Sequence, residues 1–384
     1  MKKKIIRITT VPLALRYLLT GQMKFMKENG FDVLMISAEG KGLQEVIDGE
    51  GCPHIVVPMT RTISPIQDIK CLIQLIRIFK KEKPDIVHTH TPKAGLLGMM
   101  AAKICGVKLR IHTIAGLRFV TSTGVTRKIL INMERLTSRM ANHVWPNSFS
   151  LLQTVTENKL VQKKKLKVIA SGSTNGIDLK RFSKDVLLPA KLNDIKKEVK
   201  YDPSLKYLLF IGRIVKDKGV EELLDVFTII YEKDNGLRLV VVGSLEEALD
   251  PINEKAKEIL STHPGIVHIQ WNDAVEYFIN LASIYIHPSH REGFPNVLLQ
   301  AGALKCPVVC SAISGNIDIV THKKTGLLFE TGNRGDLKEK LGFALDNPAI
   351  MKDYAGALYK SIHSNFDQRI VQQKLLEEYN DLLK

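Results

Sequence analysis

Sixteen consecutive residues, His287-Pro-Ser-His-Arg-Glu-Gly-Phe-Pro-Asn-Val-Leu-Leu-Gln-Ala-Gly302, concentrate side chains and backbone features suited to an anionic ligand. An apolar run ending at His287-Pro288 reads as a strand. The loop after it presents the carboxylate of Glu292, and Gly293 frees the neighbouring backbone. Pro295 suits the first turn of a following helix, where its missing N–H costs nothing. The N–H groups of Asn296, Val297 and Leu298 would then be free. A helix start with a glycine approach is an anion site well matched to a diphosphate. An ordinary strand-to-helix turn would carry similar residues, so the loop by itself leaves both readings open.

Positioning such a loop calls for a scaffold, and the rest of the chain reads as one. Strand candidates in the first half are Lys4–Thr9, Val33–Ser37, Ile55–Pro58, Ile86–His88, Lys108–His112 and His143–Trp145. Between them lie helix-period segments at Leu13–Asn29, Pro65–Lys81, Leu96–Cys105 and Thr126–Met140. Short β-branched strands separated by helices predict a doubly wound parallel sheet. The pattern resets after a turn-rich stretch at 171–178 and a polar, lysine-rich segment reaching about Lys206. A second series follows at Tyr207–Ile211, Arg238–Val242, Val267–Gln270, Ile284–His287, Pro307–Cys310 and Gly326–Phe329. Two terminal helices are expected over Ala349–Ile362 and Arg369–Lys384. The expected organisation is an α/β chain of two Rossmann-like domains, 1–180 and 181–366, with a ligand cleft between them. The helix at about 367–384 is expected to pack back on the first domain.

At 384 residues the chain exceeds the size of one ordinary core, which agrees with two domains. No stretch reaches the ~20 apolar residues of a spanning helix. Lys2–Lys4 imitate the start of a signal peptide, but Arg7 interrupts the short apolar run, and a core strand explains it better. Five scattered cysteines without a CxxC pair suggest neither a disulfide framework nor a zinc site, so a cytoplasmic protein is expected. A net charge of +15 calls for an anionic partner. No nucleic-acid motif is present, so nucleic acid is not expected. A solvated basic face, an anionic inner membrane surface and phosphorylated ligands are the readings that remain.

Four elements in order carry a resemblance to a known family. The 287–302 segment resembles the donor-binding signature of the retaining GT-B glycosyltransferases of family 4, written E-x7-E within EGFPNVLLEA. Phe210-Ile-Gly-Arg-Ile-Val-Lys-Asp-Lys-Gly219 is similar to the family's G-R-x(3,4)-K-G loop. Asn175-Gly-Ile-Asp178 with Phe182 resembles its N-G-V-D-x(3)-F, and His88-Thr-His-Thr-Pro-Lys-Ala-Gly95 a segment of its capsule and lipid-linked oligosaccharide branch.

The resemblance implies a GT-B fold and a metal-independent, retaining hexosyltransferase with no cofactor besides its nucleotide-sugar co-substrate. It implies that Arg213 and Lys218, at the turn beginning with Gly212, neutralise the donor pyrophosphate and the charge on the leaving nucleotide. A surface ion pair is the alternative for each. Glu292 would bind donor-sugar hydroxyls, with the amides of Gly293 and Phe294 adding contacts. The donor would be UDP-linked, and the acceptor a polyprenyl-diphosphate saccharide in surface polysaccharide synthesis, reached from the inner membrane face. His90 and Lys93 at a strand end are candidate acceptor or phosphate contacts, set against a structural role. Arg16 is a further acceptor candidate or a helix-surface arginine. His112 is an acceptor candidate or simply a strand residue.

Two positions depart from the family pattern. The second glutamate is Gln300, whose neutral amide still accepts a bond from a ribose hydroxyl but gives up charge assistance worth ~1 kcal/mol. The histidine expected after a strand of the first domain is Ala115. Two other functions are carried forward: a UDP-N-acetylglucosamine 2-epimerase, which shares the two-Rossmann architecture, and, on these two departures and the net charge, a non-catalytic sugar-nucleotide-binding relative.

Overall fold

The structure is a computed structural model describing residues 2–247 and 250–384. It divides into two compact units, Met1–Gly176 with Gln368–Lys384, and Ile177–Asp367.

In the first unit the chain runs β1 (Lys4–Ile8), α1 (Pro12–Leu18), α2 (Gln22–Glu28), β2 (Asp32–Ser37), α3 (Leu43–Glu50), β3 (His54–Val56) and α4 (Pro65–Glu82). It continues through β4 (Ile86–His90), α5 (Pro92–Ile104), β5 (Leu109–Ile114), α6 (Gly124–Met140), β6 (His143–Pro146) and α7 (Phe149–Glu157). The six strands are parallel in the order β3-β2-β1-β4-β5-β6. β4 is buried along its whole length, the pattern of a strand covered on both faces.

The second unit begins with α8 (Pro189–Glu198), β7 (Lys206–Ile211), α9 (Val220–Tyr231), β8 (Leu237–Val242), α10 (Glu254–Thr262), β9 (Ile266–Ile269) and α11 (Val275–Leu281). It ends with β10 (Ile284–His287), α12 (Asn296–Ala303), β11 (Val308–Ser311), α13 (Asn316–Ile319), β12 (Leu327–Phe329), α14 (Arg334–Asp346) and α15 (Pro348–Asn365). Its sheet, β12-β11-β10-β7-β8-β9, is also parallel and repeats the strand order of the first unit. In each sheet the order reverses between the first and fourth strands, where α/β proteins place ligands beyond the carboxyl ends. Apolar cores fill both faces of both sheets. Each fully buried Leu, Ile or Val there contributes ~1.5–3 kcal/mol.

The last helix, α16 (Gln368–Leu383), belongs to the first unit and buries Leu375, Leu376 and Tyr379 against β1, β2 and β6. It also explains Arg7, whose guanidinium is buried within β1. Arg7 Nη1 lies 2.7 Å from His88 Nδ1 and donates to the Tyr379 hydroxyl. Because the arginine donates, His88 accepts at Nδ1 and carries its proton on Nε2, 2.7 Å from Thr113 Oγ1. Burial, with Arg7 and His112 nearby, lowers the His88 pKa well below its usual value and keeps the ring neutral.

Two expected elements differ. The helix expected over Leu13–Asn29 is two, α1 and α2, because the chain turns at Leu19–Gly21 with Gly21 in the left-handed region (φ 75°). The polar segment before Lys206 contains α8, whose one buried residue, Ile195, is too weak an apolar stripe to announce a helix.

Candidate donor site in the second unit

The site forms at the switch point of the second sheet, where the loops after β7 and β10 meet. Gly219 is decisive. It sits at φ 67°, and a Cβ there would fall 2.1 Å from the carbonyl oxygen of Pro288. Glycine therefore lets the 216–219 turn press against the chain leaving β10, which carries Lys218 to Glu292. Three contacts hold the loop after β10 against this turn and α9. His290 N donates to Asp217 O at 2.9 Å, Arg291 pairs with Asp217, and His290 Nε2 lies 3.0 Å from Glu222 Oε1 on α9.

Glu292 is the centre of the arrangement. Lys218 Nζ donates to its Oε1, and His287 Nε2 lies 3.2 Å from that same oxygen. Tyr285, two residues before His287 on β10, brings its hydroxyl 3.1 Å from His287 Nδ1. Burial alone would raise the Glu292 carboxyl, but the Lys218 charge and His287 outweigh it and hold the group well below the usual carboxylate range. Burial keeps His287 neutral and the Tyr285 phenol protonated. The consistent protonation pattern has Tyr285 donating to Nδ1 and the Nε2 proton facing Glu292. The result is a fixed anion, already countered by one cation and braced by a neutral histidine.

The loop leading into α12 corrects the expected geometry in two respects. Pro295 caps the helix (φ −77°) rather than standing in its first turn, and Asn296 is the first helical residue. The Leu298 N–H is not free, because it donates to Pro295 O at 3.1 Å. Phe294 is buried against Phe366, ring centroids 5.3 Å apart, so its side chain anchors the loop. Val297 packs partly buried on the core below the sheet. Gln300 lies just over one turn into α12, and its buried Oε1 has no hydrogen-bond partner among the described residues. Gly212 follows β7 directly, and Arg213 Nη1 bonds Glu246 Oε2 at 2.6 Å on a half-exposed face. Arg213 thus holds a neighbouring carboxylate in this structure. Among the described residues no group of three or more His, Cys, Asp or Glu is placed to hold a metal ion.

In the first unit the four acceptor candidates have different surroundings. His90 is buried, stacks on His88 at 4.3 Å, and both its ring nitrogens lack partners among the described residues. Its ring lines a small cavity with Gln22, Thr113 and Asn147. Lys93 is not a free cation, since its ammonium bonds both Asp68 oxygens (2.6 and 2.7 Å) and Thr62 O. His112 lies under α5, with Nδ1 2.9 Å from Thr89 Oγ1. A Cβ at Gly95 would come 2.4 Å from its Cε1, so that glycine makes room for the ring. Arg16 pairs with Glu45 at 2.6 Å. Tyr285 and His287 were not anticipated from sequence. Their signal was the i, i+2 spacing that puts both on one face of the strand leading to Glu292.

Residues 192–360 match the family described as glycosyl transferases group 1, and residues 8–148 the family described as glycosyl transferase 4-like. A capsular polysaccharide biosynthesis glycosyltransferase of Staphylococcus aureus, CapM, is 34% identical over 386 residues, spanning 100% of this chain and 98% of that protein. The chain belongs to the group 1, family 4-like glycosyltransferases. Another relative of this glycosyltransferase is the UDP-Gal:alpha-D-GlcNAc-diphosphoundecaprenol alpha-1,3-galactosyltransferase of Escherichia coli. It is 24% identical over 335 residues, covering 86% of this chain and 84% of that one. Among solved structures, Anabaena Alr3699/HepE in complex with UDP-glucose superposes with a TM-score of 0.80 at 16% identity, over 98% of this chain and 99% of that one. The fold is accordingly that of the GT-B glycosyltransferases, two α/β domains each built on a six-stranded parallel sheet.

Proposed function

We propose that this glycosyltransferase moves a hexose or N-acetylhexosamine from a UDP-sugar to a polyprenyl-diphosphate-linked saccharide, with retention and without a metal ion. The observation that carries the reading is the Lys218–Glu292 pair built at the switch point of a chain similar along its whole length to a capsular polysaccharide glycosyltransferase. The names of the E. coli and Anabaena proteins support the UDP donor and the lipid-linked acceptor.

The site's electrostatics narrow the chemistry. A carboxyl held far below the usual range is a poor proton acceptor, so Glu292 serves as a fixed acceptor for sugar hydroxyls rather than as a general base. In the step proposed, the bond from the anomeric carbon to the β-phosphate oxygen breaks while the acceptor oxygen bonds to that carbon on the same face. The acceptor's proton passes to the departing phosphate. Lys218 and Arg213 offset the charge that gathers there, which is the task a divalent ion performs elsewhere. The acceptors require work beside a lipid surface, and the inner face of the cell membrane is the proposed place. Among the described residues no helix is long and apolar enough to cross a membrane.

The test is transfer from radiolabelled UDP-glucose, UDP-galactose and their N-acetylated counterparts to a polyprenyl-diphosphate saccharide in excess EDTA, with the product's anomeric configuration read by NMR. Transfer with an α linkage is expected for one donor. No transfer from any donor, an inverted linkage, or conversion of the sugar nucleotide without acceptor would each reject the reading.

A further inference from the structure

Helix α4 is two-sided in an unusual way. Its inner stripe, Cys71, Leu75 and Phe79, is buried as the fold requires. Its outer stripe repeats isoleucine at i, i+3 and i+7: Ile66 (75% exposed), Ile69 and Ile73, with Ile63 just before. A helix facing only water places polar residues there. A second apolar ridge rises on the first turns of α6, where Val125 (73% exposed) and Ile129 point outward, preceded by Val120. Both helices pack against α5, so the ridges share one helical layer of the first unit. Both start at the carboxyl end of its sheet, where His90 also lies.

The charge around the ridges is of one sign. Arg61, Lys70, Arg77 and Lys80 accompany the first, and Arg118, Arg127 and Lys128 the second, all exposed. The acids within the same segments are engaged elsewhere. Asp68 holds Lys93, Glu82 holds Lys4, and Glu134 is buried. Protruding aliphatics rimmed by Arg and Lys are the composition of an interfacial surface, in which side chains enter the acyl boundary and cations meet phosphate headgroups. A second copy of the chain fits poorly, since it would bring one basic rim against another.

We infer that the outer faces of α4 and the start of α6 form the surface by which this enzyme docks on an anionic lipid bilayer. The inference rests on the proposed lipid-linked acceptor and names the patch that reaches it.

Flotation of the full chain with phosphatidylglycerol-containing vesicles, compared with phosphatidylcholine vesicles, tests it directly. Binding to the anionic vesicles is expected, and it weakens as ionic strength rises. The double variants Ile66→Glu with Ile69→Glu, and Val125→Glu with Ile129→Glu, should each reduce partitioning by at least about tenfold without lowering Tm, because the replaced side chains are exposed. Their turnover on a short-chain, water-soluble acceptor should equal that of the unaltered enzyme. Three outcomes would overturn the inference: no binding to anionic vesicles, glutamate variants that bind as the unaltered chain does, or sedimentation showing that the patch joins two copies. Vesicle binding without transfer to the soluble acceptor would reject the proposed function while leaving the docking surface in place.

Discussion

His287 and Lys218 act on the same oxygen of Glu292: Nε2 of the histidine lies 3.2 Å from Oε1, and the lysine ammonium bonds that atom as well. Both contacts are to Oε1, so under the proposed function Oε2 is the oxygen that meets a donor hydroxyl. The carboxylate is thereby oriented before any sugar arrives, which is the preorganisation that electrostatic catalysis needs.

Glu292→Gln should lower kcat/KM by roughly 10²–10³-fold, the usual effect of removing one preorganised polar group. Lys218→Met should cost at least as much, because it also strands a largely desolvated carboxylate. Steady-state kinetics with the preferred donor, alongside Tm to confirm folding, measures both. Near-normal turnover of Glu292→Gln would contradict its assignment as a donor contact.

His287→Ala tests positioning rather than chemistry. His287 helps hold the Glu292 carboxyl low, so its loss raises that pKa, and the acid limb of the pH–rate profile should move toward neutral pH. Tyr285→Phe should shift the limb in the same direction by less. An unmoved profile would show that His287 serves only packing.

Gln300→Glu isolates the departure from the family signature. A carboxylate facing a ribose hydroxyl should tighten UDP binding by about fivefold, or ~1 kcal/mol. The same charge is buried without a partner when the site is empty, so Tm without nucleotide should fall. Calorimetric titration and thermal melts with and without UDP separate the effects.

Acid should destabilise the first unit. Burial depresses the pKa of His88, His90 and His112, the last to about 4, against about 6.5 in an unfolded chain. Below that unfolded value the unfolded state binds more protons, so stability falls with pH by about 1.4 kcal/mol per pH unit for each such histidine, down to its folded pKa. The second unit loses stability separately once pH drops through the carboxylate range, because the folded pKa of Glu292 is depressed. Chemical denaturation at pH 7 and pH 5.5 should show the decline, smaller in a His112→Asn variant.

Much of the scaffold could be read from residue order. The expected strands all form, because β-branched runs such as Val240–Val242 are buried on both faces and leave little choice of period. Elements governed by single backbone positions were less legible: the turn at Gly21 divides a helix whose apolar pattern looks continuous. At the site, each loop was visible by itself. The crossing that joins them depends on Gly219 meeting Pro288, a contact between residues 69 positions apart that no local pattern encodes. The partner of Lys93 was hidden for a similar reason. Its charge stands in a strand-to-helix turn, but Asp68, a turn into a different helix, pairs with it. Arg7 likewise awaited Tyr379, 372 residues later.

That last separation bears on how the protein is made. The apolar face shared by β1, β2 and β6 is covered by Leu375, Leu376 and Tyr379, which leave the ribosome after every strand of Ile177–Asp367. The first unit to be synthesised is therefore the last to close. Until then Arg7 is a charge awaiting its partner in an open core, and chaperones have a surface to hold. A message cut short before α16 would yield a chain whose second unit is intact while its first presents bare hydrocarbon to the cell's proteases.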